Sequence, residues 1–208
     1  MVEQKINRFI RIYPIFAGLT SDLLFYIAID TLFLTVVKGL SAAQIASLTS
    51  ISTIVCIIVQ FPLLRIIQKI GNTASVRLGA LFLLVSSALI TFGPNYYWIA
   101  IGQVFRDVAV IFTNVVFVSL ENNLRVIGKR DDFIRVRTSG TTTYAVITML
   151  IALIASPLFN LNHYLPMIGC MAACFCGFLL SLFMADYSEY NIIAQQDNSG
   201  KHKLQYSK

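Results

Sequence analysis

The chain has 208 residues, of which 57% are hydrophobic and only 12% charged, and its formal net charge is +6. Its mean hydropathy is +0.74. Soluble domains carry about 25% charged residues, so this composition excludes an ordinary water-soluble domain and points to an integral membrane protein.

Residues 1–11 form a basic arm with Lys5, Arg8 and Arg11. The apolar run that follows, 12–37, is too long for a signal-peptide core and lacks a small-residue cleavage site, so it predicts a spanning helix. It carries Asp22 and Asp30, with Tyr26 between them on the same flank. Helical geometry puts the two carboxylates about 12 Å apart along the axis and about 80° apart around it. The short break "KGLS" leads into "SAAQ" at 41–44, which has the form of a capping box. A second run, 41–64, has a mild polar stripe of Thr49, Thr53 and Gln60. It ends in "QFPLLRIIQKIG", 60–71, where Arg65 and Lys69 mark a helix end and Gly71 a turn.

The third run, 75–92, has no charge in its central turns; Ser86 and Ser87 can bond back to their own helix. "GPNYYW" supplies a Gly-Pro break and interfacial aromatics before the fourth run, 96–120. That run carries Gln103, Asp107 and Asn114, with Glu121 at its end. At 100° per residue these fall within about 40° of one another. Arg106 and Thr113 flank the stripe. The fifth run, 139–159, offers Tyr144 and Thr148. The sixth, 164–185, has Gly169, Ala173 and Gly177 at four-residue spacing, which either lets a neighbouring helix approach closely or falls there by chance in an Ala/Gly/Cys-rich helix. Residues 186–208 are a polar tail. All four cysteines (Cys56, Cys170, Cys174, Cys176) lie in apolar runs and read as small hydrophobes.

Six runs of roughly 20 apolar residues predict six spanning helices. Their orientation follows from the basic residues. Lys5, Arg8, Arg11, Arg65, Lys69, Arg77, Arg125, Lys129, Arg130, Arg135, Arg137, Lys201, Lys203 and Lys208 fall on one side; only Lys38 falls on the other. Both termini are therefore expected in the cytoplasm. The positive surplus is a topology signal, which argues against nucleic-acid binding. Charges inside spans are costly and mark function or a structural partner. Asp22, Asp30, Asp107 and Arg106 thus either line a cavity or form a structural pair. The first and fourth helices, helped by the second and fifth, are expected to face a polar interior; the third and sixth face lipid or act as scaffold. No metal site, cofactor or enzyme is expected: the histidines are His163 in a loop and His202 in the tail, and no H-E-x-x-H is present.

This pattern resembles the N-terminal half of a major facilitator superfamily (MFS) transporter, over nearly the whole of 12–185. "VVKGLSAAQIASL" is similar to the family's first external turn. "QFPLLRIIQKIG" is similar to its signature loop, a proline followed by G-x-x-x-D-(R/K)-x-G. Pro62, Lys69 and Gly71 fill matching positions, while Leu64 replaces the first glycine and Gln68 the aspartate. Gln103 takes the place of the family's fourth-helix arginine, with Arg106 one turn later. "SLENNLRVIGKRDDFIRVRTSG" is similar to the loop between helices four and five, with Glu121 and Gly140 in the acidic and glycine positions. The resemblance implies an all-α polytopic fold of six transmembrane helices in two three-helix repeats. It implies secondary transport of a small solute coupled to protons or ions, as a multi-pass protein of the inner (plasma) membrane. Asp22, Asp30, Asp107 and Arg106 would serve coupling; Tyr26, Gln103, Asn114 and Tyr144 would line the substrate cavity. The family uses two six-helix halves, so a second half or a second copy is the expected partner. The alternative is a stand-alone six-helix oligomeric channel or scaffold.

Overall fold

The computed structural model describes residues 2–187. The tail residues His202, Lys201, Lys203 and Lys208 lie outside them. The described residues form an all-helical bundle without strands. In chain order come α1 (Val2–Thr20), α2 (Leu24–Leu32), a π turn (Phe33–Val37), α3 (Ala42–Ile70), α4 (Asn72–Phe92), α5 (Tyr96–Thr113), α6 (Val116–Val126), a 3-10 turn (Arg130–Asp132), α7 (Phe133–Leu161) and α8 (Leu165–Ser181). Five continuous stretches are long and apolar enough to cross a bilayer: Val2–Val37, Ala42–Ile70, Asn72–Phe92, Tyr96–Val126 and Arg130–Leu161. α8 is apolar too, but at 17 residues it is shorter.

Several boundaries follow directly from side-chain chemistry. Ser41 accepts from the Gln44 amide at 3.3 Å and the Gln44 side chain returns the bond to Ser41 N–H at 2.9 Å, closing the expected capping box. Asn95 Oδ1 accepts from Trp98 N–H and starts α5. Gly71 ends α3 at φ +83°, a conformation that disfavours any side chain. The segment 60–71 is therefore helical through Ile70, with Pro62 inside the helix, and turns only at its glycine. The basic arm is helical as well. It belongs to α1, where Ile6 and Phe9 are fully buried.

The first stretch is not one regular helix. Thr20 and Ser21 hydroxyls donate back to the carbonyls of Phe16 and Ala17 at 2.8 and 2.6 Å. The Asp22 carboxylate then takes the Leu23 amide at 2.7 Å. Local side-chain bonds of this kind compete with the helical ladder, and the helix breaks at 21–23. It widens again at 33–37, where Lys38 N–H reaches the Phe33 carbonyl. The fourth stretch tightens at 114–115: Val115 N–H bonds Phe112 and Val118 N–H bonds Val115, three residues back.

Packing separates the helices into two kinds. α4 lies in the middle of the bundle, against α5 and α8, with half of its apolar window buried; the same window in α3 is 11% buried and that around α7 is 17% buried. α4, the third apolar run, thus takes the scaffold side of the expectation and not that of a lipid-facing wall. The bare faces of α3 (Ile54, Ile57, Ile58, Phe61) and α7 (Met149, Leu150, Leu153) are the exposed ones. Of the small-residue stripe in α8, Gly177 does bring a helix close: a Cβ there would stand 2.5 Å from Thr20 Cγ2 of α1. Gly140 does not open α7 but sits inside it, leaving room for the Tyr13 ring.

Each end of the bundle is tied by one charged residue. At one end, Lys38 Nζ donates to the Thr91 and Gly93 carbonyls at 2.7 and 3.0 Å, capping the end of α4. Partial burial holds its ammonium pKa below the ordinary lysine value. At the other end, fully buried Asp186 accepts from Asn72 Nδ2 at 2.7 Å and Asn122 Nδ2 at 2.8 Å. Its own amide donates to Thr73 Oγ1, while Asn123 bonds the Ala185 carbonyl and the Tyr187 amide. These bonds stitch the start of α4, the end of α6 and the chain beyond α8 together.

Candidate functional site

The break at 21–23 aims Asp22 across the bundle at α5. Arg106 meets it in a two-point fork, Nε to Oδ1 and Nη2 to Oδ2, both at 2.6 Å. Such a planar double bond is the strong geometry for a guanidinium and a carboxylate. Both side chains keep about a fifth to a quarter of their surface open, 24% and 21%. The third guanidinium nitrogen, Nη1, lies 3.4 Å from Gln103 Oε1. Gln103 in turn donates from Nε2 to the hydroxyl of buried Tyr26. The Arg106 guanidinium also lies 5.8 Å from the centre of the Tyr26 ring. Asp22, Arg106, Gln103 and Tyr26 therefore form one connected polar unit between the first and fourth stretches.

Two spaces adjoin it. One is a cavity of about 180 Å³, lined by Tyr26, Asp30, Gln103, Arg106 and Asp107 together with Thr49, Ser52 and Thr53 of α3. The other is a more open cleft of about 360 Å³ between α3 and α5, bordered by Asp22, Arg106, Asp107, Thr53 and Cys56. The hydroxyls of Ser52 and Thr53 donate to the Thr49 carbonyl, at 3.2 and 2.8 Å, so their oxygens remain available as acceptors. A larger cleft of about 460 Å³ lies at the Lys38 end among turn residues; no carboxylate lines it.

Asp22, Asp30, Tyr26, Gln103, Arg106 and Asp107 are thus brought to one place. Asp30 is held locally, its Oδ1 accepting from the Thr31 amide and hydroxyl. Tyr144 stays outside the two spaces but lies near enough to feel the charges of Asp22 and Arg106. Asn114 is not gathered in. It sits on the tightened turn after α5, exposed, and borders neither space. The signature-loop residues Pro62, Gln68 and Lys69 lie exposed on α3; among the described residues the Gln68 side chain has no polar partner. Glu121 pairs with Arg130 at 3.0 Å on the surface. Ser52, which the sequence does not single out, lines the cavity, and Cys56, read above as a small hydrophobe, borders the cleft. Their only signal was position: each follows a stripe threonine by three residues, one helical turn along α3. Among the described residues no group of three or more His, Cys, Asp or Glu could hold a metal ion.

No protein-family model, no curated protein and no solved structure matches this chain.

Proposed function

We propose that the chain is a six-span membrane protein with both termini in the cytoplasm, and that it forms one half of a secondary transporter for a small solute. The observation that carries this reading is the Asp22–Arg106 fork beside a polar cavity. An ion pair in the hydrocarbon region is costly. A purely structural pair needs no cavity next to it, and no further carboxylates lining that cavity. Asp30 and Asp107 are the candidates for coupling, with Arg106 as counter-charge. Tyr26 and Gln103 hold the guanidinium and offer hydrogen bonds to a solute.

A single bundle presents only one wall of a path. The bare faces of α3 and α7 support a second bundle, either a separate half or a second copy, as the other wall. Eleven basic residues between Lys5 and Arg137 lie toward the end that also carries Asp186, against Lys38 alone at the other, which supports the cytoplasmic assignment. The inner (plasma) membrane follows from the same reading.

The test is flux in vesicles containing the full chain. Internal pH is followed while a panel of small solutes is added outside. Wild type should couple one class of solute to proton movement. Asp22→Asn, Asp30→Asn and Asp107→Asn should each alter the rate or its pH dependence. Three variants indistinguishable from wild type would remove the coupling role. A stable oligomer that passes solute without any gradient would favour the channel alternative.

A further inference from the structure

We infer that the solute admitted to this cavity is a small organic cation of the ammonium or guanidinium class. The inference rests on the transport reading above and adds the charge of the cargo to it. Three carboxylates and one guanidinium border the two connected spaces. The guanidinium is already committed: Nε and Nη2 serve both oxygens of Asp22, and Nη1 points to Gln103. Asp30 receives only the neighbouring Thr31 amide and hydroxyl. Among the described residues, no ion pair or hydrogen bond holds the Asp107 carboxylate. Lys38 lines neither space and spends its ammonium on two backbone carbonyls at one end of the bundle.

Two negative charges are therefore left facing one enclosed space of about 180 Å³. A cation entering there gains two charge partners. An anion meets two repulsions and finds its only attractive group occupied. A neutral solute leaves both carboxylates unpaired. The available acceptors match a donor-rich cation: the carboxylates of Asp30 and Asp107, and the hydroxyl oxygens of Ser52 and Thr53. Leu34 and Leu48 of the same wall would face its carbon surface.

The protein contains its own probe. Cys56 borders the cleft beside Asp107, whereas Cys170 and Cys174 are buried; Cys176 is exposed on α8. In a Cys176→Ser background, the full chain in lipid nanodiscs is treated with a cationic trimethylammonioethyl methanethiosulfonate or an anionic sulfonatoethyl methanethiosulfonate. Modification of Cys56 is timed by mass spectrometry. The cation-to-anion rate ratio should exceed that of a free thiol by about tenfold or more, and Asp107→Asn should lower it several-fold. Tetramethylammonium should slow modification by neutral methyl methanethiosulfonate, while tert-butanol and pivalate, of the same shape, should not. A ratio equal to the free thiol's, or equal protection by tert-butanol, overturns the cation assignment and leaves the solute path standing. If no reagent reaches Cys56 from water, the path itself is wrong and both readings fall together.

Discussion

Asp22 and Asp186 are both withdrawn from bulk water, and the bundle treats them differently. Asp186 has no exposed surface; its oxygens and amide join three chain segments at one end of the molecule. Asp22 keeps 21% of its side-chain surface open, is matched by a charged partner, and borders the cleft of about 360 Å³. A polar group stitched on every side with no room around it serves architecture. A polar group that is paired yet left partly open beside a cavity is, on the transport reading proposed above, placed for exchange. The contrast predicts that substitutions at the first site act mainly on stability, and at the second on stability and transport together.

The largest effect should come from Arg106→Ala. Removing one partner strands a carboxylate in the membrane, at a cost of about 3–5 kcal/mol. Thermal unfolding in detergent should show a drop of that size, or a failure to recover folded protein. Asp22→Asn with Arg106→Gln should recover much of it. If Arg106→Ala unfolds no more easily than wild type, the pair is not the charge anchor described here.

Next is Asp186→Ala, which takes the acceptor from Asn72 and Asn122. Bonds to a charged acceptor contribute about 1.5–3 kcal/mol each when buried; both end on the one oxygen Oδ2, so each is taken at the low end and a loss of about 3 kcal/mol is expected. Asp186→Asn should recover about half. Flux per folded molecule should stay unchanged in both variants; a changed flux would merge the two sites that the comparison separates. A smaller effect, about 1–3 kcal/mol from overpacking, is expected for Gly177→Ala against Thr20. It should shrink when Thr20→Ser is added, as a double-mutant cycle would show. The smallest is Gln68→Asp. The side chain is exposed and the change should fall within about 0.5 kcal/mol. Unaltered conformational preference, read by protease or thiol accessibility, would mark this stretch as a connector only.

The sequence disclosed some of this well. Hydropathy and charge located the apolar runs, and the Ser41–Gln44 cap is a local motif whose partners are three residues apart. Asp22, Tyr26, Gln103 and Arg106 stood out because polar groups in apolar runs are few. What escaped depended on contacts across the bundle or on departures from ideal winding. Asn114 keeps the angular register of the stripe, its amide still bonding Val110 four residues back, but it lies about 16 Å along the axis from Gln103, past the end of the site. Arg106 was placed at the stripe's flank, yet its length carries the guanidinium to the centre. The stitch at Asp186 joins residues 64 and 114 positions apart, a distance no local pattern reports. The break at 21–23 was hidden in a continuous apolar run, because serine, threonine and aspartate each look tolerable there until their bonds to the backbone are seen.

The 84 residues between Asp22 and Arg106 also set a timetable. A ribosome adds roughly 5–20 residues per second, so the first span is complete on the order of ten seconds before its guanidinium partner exists. During that interval Asp22 has no guanidinium to meet, and an unpaired charge is costly in the bilayer. The ion pair that joins the first and fourth stretches can thus close only after the fourth has been made.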